Sequence, residues 1–313
     1  MLLSIVFPGQ GSQAIGMMSD LAEHHGLVKD LFVEASDILG VDLWEMTQQG
    51  PLEALSQTEN TQPALLTAGV AAWRVWQSLG GATPAMMAGH SLGEYTALVS
   101  AGAISFADGV ALVRDRGRYM QEAVPAGEGG MAAILGLEDD RVREVCTTAA
   151  QGDVLQAVNF NAPGQVVIAG TRAAIERGIE QMKEAGARRA MPLPVSIPAH
   201  SSLMSSASAR LAERIATVEL SMPSVPVIHN CNVQVAQSTE QIADNLVTQL
   251  DSPVRWVESI QSMHQAGVET FIESGPGRVL GGMIKRIVSG VSIACIEKAD
   301  AYHALIGSES EQR

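Results

Sequence analysis

Cationic side chains are scarce in this chain: 20 Lys and Arg stand against 34 Asp and Glu, a net charge of −14 with His neutral. A nucleic-acid backbone calls for a basic surface, so the balance argues against nucleic acid as the main partner. Cysteines number only 3 (Cys146, Cys231, Cys295) and stand far apart. That argues against a disulfide framework and a thiolate zinc site, and it fits a reducing cytoplasm. No run approaches the roughly 18–20 apolar residues of a membrane span. The apolar start Leu2–Phe7 lacks the basic segment and small-residue cleavage site of a signal peptide, and reads as a first buried strand. Neither G-x-G-x-x-G nor G-x-x-x-x-G-K-[ST] is present, so nucleotide phosphate binding has no support. No metal-ligand spacing occurs either. Aromatics make up only 4% of residues, whereas Gly numbers 30 and Met 14. That favours helices and close backbone packing over an all-β sandwich.

What is present is ample apolar material, 46% of 313 residues, enough for a large core and roughly two domains. Short apolar runs alternate with longer amphipathic ones, the pattern of an α/β protein. Strands are expected at Leu2–Phe7, Ala85–Ala88, Met131–Leu135, Leu155–Asn159, Gln165–Ala169, Val225–Ile228, Thr270–Glu273 and Val291–Ala294. Helices are expected at Gly26–Leu39, Pro63–Leu79, Phe106–Gln121, Glu138–Ala150, Thr171–Ala185, Thr239–Leu250 and Val279–Val288. Ser105-Phe-Ala-Asp108 has the form of a capping box. The polar tail after about Ala304 is expected to fray.

Two segments look like seams: Pro125-Ala-Gly-Glu-Gly-Gly130 and Pro192-Leu-Pro-Val-Ser-Ile-Pro198. Between them the order is strand, helix, strand, strand, helix, strand, which is the split βαβ arrangement. The expected fold is therefore α/β, with a hydrolase-like large domain built on a parallel sheet (residues 1–126 and 197–313). A small ferredoxin-like βαββαβ domain is inserted in it (residues 127–196). A cleft between the two is the natural ligand site.

Gly89-His-Ser-Leu-Gly93 lies between an apolar run and an apolar helix, which is G-x-S-x-G in its strand–turn–helix setting. Glycines at these positions leave no Cβ to obstruct a tight turn. The Ser91 hydroxyl is then presented at a helix N-terminus, where N–H groups favour developing negative charge. The plainer alternative is a turn in which Ser91 merely caps the helix.

A serine nucleophile needs a base. Of the seven histidines, His24, His25, His264 and His303 sit on polar or amphipathic surfaces, and His90 points elsewhere on the turn. His200, after three prolines at a seam, and His229, at a strand end, are the candidates; position alone does not decide between them. Asp153, Asp244 and Glu273 are available as orienting acids, none in a persuasive setting. A backbone carbonyl or an amide would orient the base as well.

Arg116 falls on the apolar face of its helix, with Leu112, Val113, Tyr119 and Met120 three and four residues away. An inward guanidinium needs an anion. Periodicity leaves open whether that anion is a protein carboxylate or a ligand carboxylate. Likewise, Gly9-Gln-Gly-Ser-Gln13 is either a simple turn or the source of a second oxyanion N–H.

Taken together, Phe7-Pro-Gly-Gln-Gly-Ser-Gln13, Gln62-Pro-Ala64, Gly89-His-Ser-Leu-Gly-Glu94, Arg116-Gly117, Asn159-Phe-Asn-Ala-Pro-Gly-Gln165, Ile197-Pro-Ala-His200 and Gln249-Leu-Asp-Ser-Pro-Val254 occur in a set order. The chain thereby resembles the malonyl-CoA:acyl carrier protein transacylases of fatty-acid or polyketide synthesis, from residue 3 to about 295. The resemblance implies ping-pong transfer through a malonyl ester on Ser91, with His200 as base. It implies an oxyanion hole from the N–H groups of Gln10 and Leu92, and Arg116 binding the malonyl carboxylate. His90 and Asn161 would line the site, and the Gln249 carbonyl would orient His200. Partners would be malonyl-CoA and acyl carrier protein, with no cofactor and no metal. Carrier proteins are acidic, so a local basic patch is expected to dock them: Lys183, Arg188 and Arg189, or Lys285 and Arg286. Ile-Pro-Ala before His200 departs from the commoner pattern and bears on choice among extender units. Alternatives are an acyl transferase for another extender, a serine thioesterase or esterase, and a non-catalytic binding module.

Overall fold

The computed structural model describes residues 2–310, with 307–310 through their backbone. A central sheet takes β1 (Leu2–Phe7), β2 (Met86–Gly89), β7 (Val227–Ile228), β8 (Val268–Glu273) and β9 (Ser292–Cys295). Their order is β7-β2-β1-β8-β9, and every neighbouring pair is parallel. Parallel strands need crossovers and helical cover on both faces, so they read as continuous apolar runs. β1 shows this: Ile5 and Phe7 join the core on one face and Val6 the core on the other. The helix Thr58–Ser78 packs in the larger core with Leu65, Leu66, Val70, Trp73 and Trp76 buried. The fold is thus α/β with a parallel sheet clothed in helices.

A second sheet takes β3 (Gly129–Leu135), β4 (Leu155–Ala162), β5 (Gln165–Thr171) and β6 (Arg189–Pro192), in the order β4-β5-β3-β6 and wholly antiparallel. Ala132, Ile134 and Ile168 on one face pack on the helices Asp139–Ala150 and Arg172–Glu184. Met131, Val158, Val167 and Ala169 on the other face meet Leu193, Val195 and Ala199. This sheet is tied to the rest of the chain through β4: Phe160 N donates to Val254 O at 3.0 Å, and Val254 N to Val158 O at 2.8 Å.

Departures from the expected elements have local causes. The helix begins at Thr58, not at Pro63, which lies inside it. A proline's restricted φ suits a first turn generally, and the first turn here lies one turn earlier than the proline suggests. Only Val227–Ile228 of the expected strand forms, because Pro226 has no N–H and contributes to the pairing only as an acceptor, for Met87 N. The short helices Leu43–Gln49 and Leu52–Leu55 had no periodic signal to announce them. The tail does not end its order near Ala304: helix continues over Ala299–Ser310. Two of its three anchors are remote in sequence. Ala299 N donates to Asp20 Oδ1 at 2.9 Å, and the buried Tyr302 hydroxyl lies 2.9 Å from the carbonyls of Ala72 and Ile296. Among the described residues no helix is long and apolar enough to cross a membrane.

Candidate active site

β2 ends at Gly89 and the helix Leu92–Ser100 begins three residues later. The turn between them is as tight as the glycine spacing demands. A Cβ on Gly89 would stand 1.9 Å from the Gly93 carbonyl carbon, and one on Gly93 2.1 Å from Phe7 O. Ser91 itself takes φ 52° and ψ −106°, a conformation costing about 1–3 kcal/mol for a residue with a side chain. Its hydroxyl makes no capping bond to the helix, so the plain N-cap alternative fails. The turn is held from outside: Ser91 N donates to Asn230 Oδ1 at 2.7 Å, and Asn230 Nδ2 donates to Gly89 O at 2.8 Å.

His200 arrives from the second seam, also at positive φ (63°). Its Nε2 lies 2.7 Å from Ser91 Oγ, and its Nδ1–H donates to the Gln249 carbonyl at 2.8 Å. The carbonyl fixes the tautomer, so Nε2 is free to accept the serine proton. Burial, and next the nearby Arg116 charge, push the ring's pKa down to about 3, with the Gln249 carbonyl opposing. His200 therefore rests neutral. His229 is no rival: it is buried against Glu94, Nδ1 to Oε1 at 2.7 Å. Asp153 pairs with Arg177, and Glu273 accepts from the N–H groups of Leu280 and Gly281. Neither approaches the base.

Arg116 is 1% exposed. Its guanidinium lies 5.1 Å above the Tyr95 ring and donates to Gln62 Oε1 (2.9 Å), Gln249 Oε1 (3.0 Å) and Ser91 Oγ (3.2 Å). Every one of these acceptors is neutral, and among the described residues no carboxylate lies within ion-pair distance of it. Nε lacks a partner altogether. A buried cation without an anion is costly, and burial holds its pKa down. The alternative left open by periodicity is thus resolved against a protein carboxylate.

Ser91, His200 and Arg116 face a cavity of about 240 Å³ between the two sheets. Its far wall comes from Met131, Asn159 and Leu193–Ile197. Gln10 and Leu92 also line it, and among the described residues neither backbone N–H has a protein acceptor. His90 lines it too. Asn161 does not; it stands behind His90, with Oδ1 2.7 Å from Nε2. The wall residue is instead Asn159, whose buried Oδ1 has no partner.

Sequence reasoning gave no part to Gln62, Glu94, Asn159 or Asn230. Gln62, a buried amide immediately before the apolar run of its helix, carried a usable signal; Asn230 carried none, since its partners are 139 and 141 residues away. Of the expected docking cations, Lys183 pairs with Glu180, and Arg286 donates to Gln165 and to the Pro163 carbonyl. Arg188, Arg189 and Lys285 are exposed, and among the described residues their side chains have no hydrogen-bond or ion-pair partner.

Comparison with known proteins agrees across the chain. Residues 5–299 match the acyl transferase domain family. The malonyl CoA-acyl carrier protein transacylase of Salmonella typhimurium is 52% identical over 303 residues, spanning 97% of this chain and 98% of that one. The crystal structure of an acyl carrier protein S-malonyltransferase from Vibrio cholerae is similar with a TM-score of 0.96 and 53% identity, covering 97% of this chain and 100% of the other. A type II PKS acyl-carrier protein in complex with its malonyl-transacylase gives a TM-score of 0.97 at 49% identity, covering 98% and 100%.

Proposed function

The chain belongs to the acyl transferase family, and from that membership we propose its reaction: a malonyl group passes from malonyl-CoA to the phosphopantetheine thiol of acyl carrier protein, through a malonyl ester on Ser91. The observation that carries this reading is Arg116, a buried cation with only neutral partners, 3.2 Å from the nucleophilic oxygen. A malonyl thioester places a carboxylate two carbons from the carbonyl under attack, and a guanidinium binds such a group bidentately.

The geometry supports the following steps. His200 Nε2 takes the Ser91 proton as Oγ attacks the thioester carbonyl. The N–H groups of Gln10 and Leu92 receive the oxyanion, aided by the N-terminus of the helix Leu92–Ser100. The imidazolium, steadied by the Gln249 carbonyl, gives its proton to the departing coenzyme A sulfur. In the second half His200 takes the proton of the carrier thiol, the sulfur attacks the ester, and Ser91 leaves with a proton returned from His200. A thioester is already an activated acyl donor, so the cycle needs neither metal nor cofactor. Ile197 and Ala199 line the cavity beside the base, where an extra methyl on the extender unit is typically worth about 1–3 kcal/mol.

We read residues 127–196 as an inserted ferredoxin-like unit, supported by the β4-β5-β3-β6 order with two helices on one face. A cytoplasmic setting is supported by three cysteines that are all unpaired. Malonyl carrier protein is the extender donor for fatty-acid and polyketide chains, and the reaction supplies it.

Intact mass after brief exposure to malonyl-CoA tests the reaction. One malonyl adduct is expected, stable in buffer and discharged on adding carrier protein. An adduct that decays equally fast without acceptor would make the protein a thioesterase; free coenzyme A never released would remove the chemistry altogether. For docking, reversing charge at Arg188 and Arg189 together is expected to raise KM for carrier protein several-fold and leave KM for malonyl-CoA alone. An equal rise for both substrates ends the docking assignment.

A further inference from the structure

The steps above use none of the buried carboxylates, yet one of them stands directly behind the nucleophile. Glu94 is fully buried in the first turn of the helix Leu92–Ser100. Its two oxygens take three donors. Oε1 accepts from His229 Nδ1 at 2.7 Å; Oε2 accepts from Asn230 N at 2.8 Å and from Gln249 Nε2 at 3.0 Å. The last bond decides how the Gln249 amide faces. With Nε2 turned to the carboxylate and to Ser91 O (2.9 Å), Oε1 is left turned to Arg116 Nη2 at 3.0 Å. A rotated amide would set its NH2 group against the guanidinium, donor against donor, and leave the carboxylate facing an oxygen.

We propose that Glu94 is a positioning residue that acts through the Gln249 side chain to aim Arg116 at the acyl pocket, and so sets the preference for malonyl over uncharged acyl groups. The inference rests on the reading that Arg116 binds the malonyl carboxylate. It separates two duties of Gln249: the backbone carbonyl orients His200, and the side chain carries the alignment from Glu94 to Arg116. Because an acetyl group makes no use of Arg116, the ratio of malonyl to acetyl kcat/KM isolates the second duty from general damage.

The test is a double-mutant cycle with Glu94→Met and Gln249→Met, both near in size to the residue replaced, read as that ratio with malonyl-CoA and acetyl-CoA. Acetyl transfer falls in each variant, since Ser91 O and Asn230 N lose partners. The ratio is expected to fall a further tenfold in each. In the double variant it should fall no lower than in Gln249→Met alone, because the two act in series. A ratio that stays at the wild-type value in Gln249→Met overturns the proposal, and that variant suffices if Glu94→Met does not fold. Effects that multiply in the double variant overturn it as well. Wild-type protein that transfers no malonyl at all would instead sink the reaction on which the inference stands.

Discussion

Ser91→Ala is expected to eliminate the malonyl adduct and to lower transfer by on the order of 10⁴- to 10⁶-fold, the usual loss when a nucleophile acting with its base is removed. The cavity offers no substitute. Ser56 and Ser196 also line it, but the base is aimed at Oγ of Ser91 alone. None of the three cysteines is on the wall. The fold should survive, since Ala keeps the backbone bonds of Ser91 to Asn230 and Gln249. A melting temperature within a few degrees of wild type would separate lost chemistry from lost structure. An adduct persisting in this variant would move the nucleophile elsewhere. In the wild type the acid limb of acylation is expected to follow the neutral form of His200. The folded ring resists protonation well below the ordinary 6.5, so acylation should persist below that pH. The same depression bears on stability. The unfolded chain takes up a proton below about 6.5 that the folded ring refuses. That contribution is whole above 6.5 and is lost as pH falls towards the folded value.

Arg116→Ala should reduce malonyl kcat/KM by the cost of leaving a ligand carboxylate unpaired in a dry site. That is about 2–5 kcal/mol, or roughly 30- to 4,000-fold. Acetyl kcat/KM should change by less than tenfold: the bonds to Gln62, Gln249 and Ser91 Oγ are lost in either reaction, but an acetyl group has no carboxylate to leave unpaired. Steady-state kinetics with both thioesters measure this. A matched loss would make the arginine a structural member of the Gln62–Gln249 network. The charge also depresses the His200 pKa, so the acid limb of acetyl transfer should shift upward in this variant.

Ser91 was legible in sequence because its requirement is local: two glycines flank it and backbone lies within 2.1 Å of where each Cβ would be. Arg116 was half legible. The helical period put it on the buried face, but the absence of a partner carboxylate is a fact about residues 54 and 133 positions away. His200 came from family resemblance, not from pattern, because its bond to Ser91 spans 109 residues. Glu94 was quoted within a motif without a role, as its three donors all come from residues 229–249. Elements followed the same rule. The helix Phe106–Glu122, with a strong period and the Ser105 cap, was placed to within a residue. Pro63 misled because a proline marks a first turn only on average.

The spread of these partners along the chain has a consequence for biosynthesis. Ser91 and Arg116 are made early; His200, Asn230 and Gln249 are made late. A chain growing from its N-terminus thus carries Ser91 for a further 109 residues before His200 is made, and for 139 before Asn230, the tether of the turn. Since β7 and β8 flank the strands that hold Ser91, the central sheet cannot close until the last third has emerged. Competence then arrives late and all at once. Unfinished chains are spared from consuming thioesters, and acylation becomes a readout of complete folding.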